Sequence, residues 1–273
     1  MDRPAFDIDW AGAWDEANAR RGLRVNLGRQ GHSREDFWQK YQTWMRLYVN
    51  RNYPGKLLER IIQLTCEGES LADIGAGAGA FAIPLARQGI RVTAIEPSPA
   101  QSALLTVEIE KESLGNIRVV NQEWEALSPE EIGLHDHVMA VYSLEMENIR
   151  LALEKMIAVA AKNVFIVHTA GNDLRPALKT LFGLQASPDY IYLYNILYQM
   201  GFSPDVEVFY RDYQIPLDVQ LEMFAYNPGF NPDELARLKN FLKDSGKTVT
   251  EGGQVWLKRQ NRDALIRLKK TAL

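Results

Sequence analysis

The stretch Leu71-Ala72-Asp73-Ile74-Gly75-Ala76-Gly77-Ala78-Gly79-Ala80 decides the fold of this 273-residue chain. It begins as a short apolar run typical of a buried strand, passes one acidic side chain and turns through alternating glycines. A helical pattern follows from Phe81. Because glycine has no Cβ, a ligand can approach the backbone of such a turn, and the new helix offers unpaired N–H groups there. The stretch therefore predicts a site for a polar or nucleotide-like ligand.

Strand and helix patterns alternate on the carboxyl side of this turn. The β-rich runs are residues 91–95, 117–120, 137–142 and 164–168, and the helical patterns are residues 99–112 and 149–161. This alternation predicts an α/β fold with a parallel sheet and helices on both faces.

The last third of the chain departs from this alternation. Residues 190–200 have a helical pattern, and residues 206–209 and 254–257 have strand patterns with helical segments between them. We expect a helical insertion, about residues 211–250, between the last two strands. The basic run from Lys258 to Lys270 predicts a solvated terminal helix.

Aromatic residues are concentrated in the first part of the chain. They are Trp10, Trp14, Phe37, Trp38, Tyr41, Trp44, Tyr48 and Tyr53. Phe37, Tyr41, Trp44 and Tyr48 recur at helical spacing, which favours a helix packed on the core over a substrate lid, although one helix can do both. We therefore expect residues 1–53 to form an aromatic-rich helical cover and residues 54–273 to form the ligand-binding domain.

Composition and charge limit the classes of partner. A formal net charge of −4 argues against nucleic acid. No apolar run reaches the roughly 20 residues that span a bilayer, and the first residues lack the pattern of a secretory signal, so we expect no membrane contact and a cytoplasmic location. Cys66 is the only cysteine, which excludes an intramolecular disulfide and a cysteine-rich metal site, and we expect it to be buried.

The glycine turn alone leaves two ligands open. Gly75-x-Gly77-x-x-Ala80, with Glu96 about 20 residues further on, fits the dinucleotide fingerprint of an NAD(P)-dependent oxidoreductase. Asp73 favours the other interpretation, because a carboxylate there would attract an ammonium group and repel a pyrophosphate. Glu123 and Trp124 suit the amino group and the flat ring of an adenine.

With these residues the chain resembles the class I S-adenosylmethionine-dependent methyltransferases. The resemblance is carried by residues 71–79, by Ile95-Glu96-Pro97, by the Glu123-Trp124 pair and by residues 136–144. It implies a Rossmann-like, doubly wound sheet of seven mostly parallel strands with the last strand antiparallel. It also implies S-adenosyl-L-methionine as methyl donor at the carboxyl ends of the first strands.

The resemblance assigns a part of the cofactor to each motif. The methionine moiety would lie over Asp73, Gly75, Gly77 and Gly79, the ribose on Glu96, the adenine beside Glu123 and Trp124, and the sulfonium opposite Tyr142 and Ser143. The alternatives are a surface turn for the glycines, a helix cap or a solvated side chain for Glu96, and a loop acid and a core indole for Glu123 and Trp124.

Candidates for catalysis follow the fourth and fifth strands. A general base is needed only where the attacking atom must lose a proton, and His168 is the leading candidate, with Tyr142 and Glu145 as further ones. A satisfied structural histidine and a helix-capping glutamate are the alternatives. His135 and His137 lie at a strand start away from this site, so we predict no metal.

The acceptor of the methyl group is expected to be a small molecule. Tyr142-Ser143-Leu144-Glu145 stands where nucleic-acid amino-methylating enzymes of the superfamily carry an Asn/Asp-Pro-Pro-aromatic signature. The aromatic N-terminal helix and the tyrosines at 190, 192, 194 and 198 are expected to frame the acceptor pocket, or to pack between the insertion and the core. A non-catalytic cofactor-binding partner protein is the remaining alternative, and the sequence is compatible with a homodimer.

Overall fold

The computed structural model describes residues 8–47, 53–184 and 187–270, so the expectation for Tyr48 lies outside the described residues. The strands are β1 (Ser70–Ile74), β2 (Arg91–Ile95), β3 (Ile117–Val120), β4 (His135–Val141), β5 (Ala160–Asn172), β6 (Asp205–Pro216), β7 (Thr248–Glu251) and β8 (Gln254–Lys269). The α-helices are α1 (Trp10–Arg21), α2 (Leu23–Arg29), α3 (Arg34–Leu47), α4 (Gly55–Gln63), α5 (Ala82–Arg87), α6 (Pro99–Glu112), α7 (Pro129–Ile132), α8 (Ile149–Ala158), α9 (Arg175–Phe182), α10 (Tyr190–Gln199), α11 (Leu217–Tyr226) and α12 (Pro232–Asp244).

These strands form one sheet in the order β3-β2-β1-β4-β5-β8-β6, with β7 paired to β8. Strands β1 to β5 pair in parallel, and β8 runs antiparallel between β5 and β6. The predicted fold is confirmed: a mostly parallel sheet whose last strand is antiparallel, with α11 and α12 inserted between β6 and β8. Among the described residues the sheet has eight strands rather than the predicted seven, because β7, within the insertion, pairs with β8.

Helix α6 shows how local sequence sets an element. The Ser98 hydroxyl accepts the N–H of Gln101 and caps the first turn, and Pro99 occupies the first helical position, where a missing N–H costs nothing. Ser113 ends the helix in the left-handed conformation. The predicted bounds of this helix are those of the structure.

The basic run at the end of the chain is the main error of the sequence analysis. The solvated helix predicted from Lys258 to Lys270 is wrong, because these residues continue β8 to Lys269. The strand pairs with β5 on one side and β6 on the other, and Ala264, Leu265 and Ile266 are almost completely buried. Pairing on both sides overrides the local charge. Lys258 and Arg262 remain exposed, and the buried Arg259 is paired with Asp173 at 3.0 Å.

Two smaller expectations also fail. Helix α8 ends at Ala158 and β5 begins at Ala160, so the predicted helix to residue 161 is too long. Cys66 is exposed rather than buried, because α4 has already ended at Gln63. None of the described helices is long and apolar enough to cross a bilayer.

The sheet has an apolar core on each face, and a third cluster binds the N-terminal helices to the insertion. Leu27 of α2 and Trp44 of α3 pack there with Leu217, Leu238 and Leu257. The Trp44 indole N–H also donates to the Glu222 carboxylate of α11 at 2.8 Å. Helices α2 and α3 are thereby held above the carboxyl end of the sheet.

Candidate functional site

A cavity of about 1470 Å³ opens at the carboxyl ends of β1, β2 and β4 and extends under α3. Ligand pockets usually measure roughly 300–1,000 Å³, so this one has room for more than one small molecule. Its wall is formed by the glycine turn, by the segments that follow β2 and β4, and by side chains of α3, β6 and β8.

Glycine is needed at the three positions of the turn for different structural reasons. A Cβ on Gly75 would lie 2.4 Å from the Ser143 Cβ, and one on Gly79 would lie 2.6 Å from the Leu105 side chain. These two glycines allow close packing within the protein. A Cβ on Gly77 would meet only the Gln101 side chain, at 3.8 Å, so here the backbone is open to a ligand. Gly75 and Gly77 line the cavity, and Gly79 does not.

Asp73 is a buried carboxylate that faces the cavity without a compensating charge. It is 2 % exposed and lines the cavity, and neither a cation nor a hydrogen-bond donor of the described residues lowers its pKa. Burial, and secondarily the nearby charge of Glu96, raise the pKa of Asp73 to about 7. Such a group gains from a cationic ligand that restores its charge.

Glu96 lies beside Asp73 and is tied to the glycine turn. Its carboxylate accepts the Gly77 N–H at 2.7 Å and the Ser98 N–H at 2.8 Å. Burial raises the pKa of Glu96, while these two N–H groups oppose the rise. Each carboxylate oxygen retains a lone pair for a further donor, which suits a pair of hydroxyls.

Glu123 and Trp124 both border the cavity but differ in exposure. Glu123 is exposed and lies 3.4 Å from the Arg34 guanidinium of α3. The Trp124 ring is 2 % exposed and packs in the core, with the Lys155 Nζ 4.5 Å from its centroid. The indole therefore has the surroundings of a core side chain.

Tyr142 and Ser143 follow β4 directly and hold the middle of the cavity wall. The Ser143 hydroxyl donates to the Ile74 carbonyl. Tyr142 is in the left-handed region (φ 54), its side chain is 39 % exposed, and its hydroxyl donates to Asp263. Burial of the hydroxyl, together with the Asp263 charge, raises the pKa of Tyr142. This hydroxyl is therefore a donor at neutral pH and not a base.

An ion pair that no sequence pattern predicted anchors Tyr142. Asp263 of β8 is 2 % exposed and accepts the Arg211 Nε of β6 at 2.8 Å. The guanidinium lies over the Tyr53 and Tyr213 rings, at 5.0 and 5.3 Å. Residues 258–263 are all polar, so the sequence carries no period-two signal that would place Asp263 in a strand.

His168, the leading base candidate, does not line the cavity. Its ring lies 5.8 Å from the Tyr142 ring and 5.2 Å from the Trp14 ring. Burial lowers the pKa of His168 to about 4. The imidazole is neutral but enclosed by protein, so the structure brings only Tyr142 and Glu145, of the three catalytic candidates, to the cavity.

The two histidines of β4, His135 and His137, lie at the opposite end of the sheet. His137 is 2.8 Å from Glu69, and His135 is 3.0 Å from the Thr93 hydroxyl. Within the described ranges, no three His, Cys, Asp or Glu residues come together as a metal site would require.

Helix α3 lies along the cavity, and its first turn is docked at the end proposed for the cofactor. Glu35 accepts the Ser98 hydroxyl at 2.8 Å and the Ala100 N–H at 2.9 Å, and so docks α3 on the first turn of α6. Phe37, Trp38 and Tyr41 of α3 line the cavity. The tyrosines of α10 do not line it. Tyr192 instead packs against Trp10 of α1, with the ring centroids 5.1 Å apart.

The sequence was compared with protein families and curated proteins. Residues 71–163 match a family model described as a methyltransferase domain. An uncharacterized protein of Haemophilus influenzae is 32% identical over 141 residues, which cover 50% of this chain. The chain thus spans only about half of that relative, 52% of its length.

Solved structures share the fold at low identity. Magnesium protoporphyrin IX methyltransferase from Synechocystis PCC 6803, with bound SAH, is 15% identical, with a TM-score of 0.50 over 84% of this chain and 94% of that one. The [4+2]-cyclase SpnF is 19% identical, with a TM-score of 0.51 over 80% and 81%. Such likeness establishes the fold and leaves the reaction to be argued from the site.

Proposed function

We propose that this chain, whose residues 71–163 match a methyltransferase domain, transfers a methyl group from S-adenosyl-L-methionine to a small molecule. The observation that carries this proposal is Asp73, a buried carboxylate without a cationic partner among the described residues, set beside Glu96 at an open glycine turn.

The residues present fit this cofactor. Asp73 would hold the ammonium group of the methionine moiety, Glu96 the ribose hydroxyls, and the open Gly77 backbone would allow close approach. Glu123 borders the region left for the adenine. When bound, the cofactor supplies an electrophilic methyl group on its sulfonium.

The same residues argue against a dinucleotide. A pyrophosphate over the glycine turn would face two buried carboxylates, Asp73 and Glu96. Like charges at such short range in a poorly solvated site cost several kcal/mol. An oxidoreductase that binds NAD(P) is therefore disfavoured.

The protein's part in the reaction is positioning and exclusion of water. Tyr142, fixed by Asp263 and Arg211, forms a rigid wall where β4 ends. The α3 rings cover the opening. Alignment of an acceptor with the breaking bond contributes about 7–11 kcal/mol in favourable cases. Tyr142 would act as a donor and steric guide, with its proton retained.

A turnover screen tests catalysis against the alternative of a non-catalytic binding protein. The purified chain is incubated with S-adenosylmethionine and panels of amines, phenols, thiols and carboxylates, and release of S-adenosylhomocysteine (SAH) is measured. We expect release above the acceptor-free rate with at least one panel, and expect Tyr142→Phe to retain cofactor binding while lowering this rate. No release with any panel, although SAH binds, would favour the binding protein.

A further inference from the structure

The charges around the cavity are unbalanced. Carboxylates outnumber guanidinium groups along the wall, and no lysine or histidine of the described chain lines it. Each guanidinium already has an acidic partner: Arg24 has Glu147 at 3.6 Å, Arg34 has Glu123 at 3.4 Å, and Arg211 has Asp263 at 2.8 Å. An anionic acceptor would therefore find every cation of the wall engaged.

Four lining carboxylates remain without an ion-pair partner among the described residues. Asp73 and Glu96 belong to the end proposed for the cofactor. Glu125, which follows β3, is exposed, and its charge acts on Lys155. The fourth is Glu145, on the segment that follows β4, three residues after Tyr142. Arg34 is the nearest cation to it, and Arg34 also faces Glu96 and Glu123. The charge of the Arg34 guanidinium is thus shared among three carboxylates.

An aromatic wall lines the same cavity. The Phe37 and Trp38 rings meet edge to face at 5.1 Å, and Trp38 and Tyr41 do so at 5.5 Å. These contacts hold the three rings against one another as a fixed surface. Aromatic faces attract organic cations, by roughly 0.5–2 kcal/mol per contact. A carboxylate and an aromatic wall together form a site for an organic cation.

We propose that the methyl acceptor is an organic amine, bound as its cation by the Glu145 carboxylate and the aromatic wall of Phe37, Trp38 and Tyr41. This inference rests on the proposed function and specifies its substrate class. Glu145 also has a chemical task, because an ammonium nitrogen has no free electron pair. The ammonium proton passes to a Glu145 carboxylate oxygen and then to solvent. The freed pair forms the new N–C bond, and the pair of the broken C–S bond stays on sulfur.

The test compares three probes that share one ring and differ in charge. Benzylamine, benzyl alcohol and benzoate are titrated by calorimetry into the SAH-saturated protein. We expect benzylamine to bind about tenfold more tightly than the other two, the equivalent of one ion pair of about 1.4 kcal/mol. Glu145→Gln should remove this preference and leave the affinity for benzyl alcohol unchanged. Glu154→Gln, on the exposed face of α8 away from the cavity, should keep the preference.

The outcomes separate the two proposals. The affinity for SAH is measured first in each variant, and failure of the unaltered protein to bind SAH would count against the proposed function itself. If SAH binds, the amine inference is overturned by tighter binding of benzoate or benzyl alcohol, by a preference that survives in Glu145→Gln, or by a lack of binding of all three probes up to their solubility.

Discussion

The two ends of the cavity differ in how the chain builds them and in how they are charged. The cofactor end comes from segments that follow neighbouring parallel strands, with Asp73, Gly77 and Glu96 close in sequence. The other end joins Tyr142 to Asp263 and Arg211 across strands distant in sequence. Asp73 lacks a compensating partner among the described residues, whereas the charge of Asp263 is fully paired. The first end can therefore accept a cationic ligand, whereas the charges of the second end are already neutralised within the protein.

The largest expected effect comes from breaking the paired end. Asp263→Ala leaves the Arg211 guanidinium, only 13% exposed, without its partner, and frees the Tyr142 hydroxyl. We expect a loss of about 3–5 kcal/mol in the free energy of unfolding, measured by urea denaturation. Asp218→Ala removes an exposed pair with Lys239 and should cost below about 1 kcal/mol. Equal losses would mean that the buried pair has no special role.

The glycine turn should be the next most sensitive place. Gly75→Ala combines a positive φ of 71 with a Cβ 2.4 Å from the Ser143 Cβ, and we expect a cost of about 2–4 kcal/mol. Gly68→Ala shares the positive φ, but nothing lies within 4 Å of its Cβ, so it should cost about 1–2 kcal/mol. The difference in thermal unfolding between the two variants separates the cost of the Cβ contact from the cost of the positive φ. Similar melting temperatures would contradict the close contact of the two loops.

Asp73 should destabilise the ligand-free protein at neutral and alkaline pH. Its raised pKa of about 7 means that the folded protein holds this proton more tightly than the unfolded chain does. The contribution to stability is thus fully present below about pH 4 and is lost as the pH rises through 7. Asp73→Asn should be more stable than the unaltered protein at pH 8, by about 1–3 kcal/mol, with a smaller difference near pH 4.

Urea denaturation at a series of pH values measures this difference, with Asp218→Asn as the exposed control. A difference between Asp73→Asn and the unaltered protein that stays constant from pH 4 to 8 would contradict the raised pKa of Asp73.

The smallest expected effect is on the dissociation of SAH and concerns helix α3. Glu35→Gln weakens the contacts of α3 with Ser98 and Ala100 by about 0.5–1 kcal/mol, so SAH should dissociate about two- to fivefold faster in stopped-flow fluorescence. Glu16→Gln, exposed on α1, is the matched control. Unchanged dissociation in Glu35→Gln would mean that α3 does not retain the ligand.

The sequence predicted the cofactor end better than the other end for a physical reason. A strand, a glycine turn and a capped helix are local features, and α6 has the bounds predicted from Ser98 and Pro99. Strand β8 depends on partners in β6 and β5 that lie about 40 to 106 residues earlier in the chain, so its basic residues alone predict a helix. The enclosure of His168 between Trp14 and Tyr142 depends on tertiary packing in the same way.

The assignments of Glu96, Glu123 and the other cofactor contacts stay predictions, and so do the division of the chain at residue 53 and the homodimer. A titration with SAH and with NADH at pH 8, where Asp73 is ionised, tests the central claim most directly. We expect saturable binding of SAH that weakens at least tenfold in Asp73→Asn, and no binding of NADH. Binding of NADH without binding of SAH would contradict it.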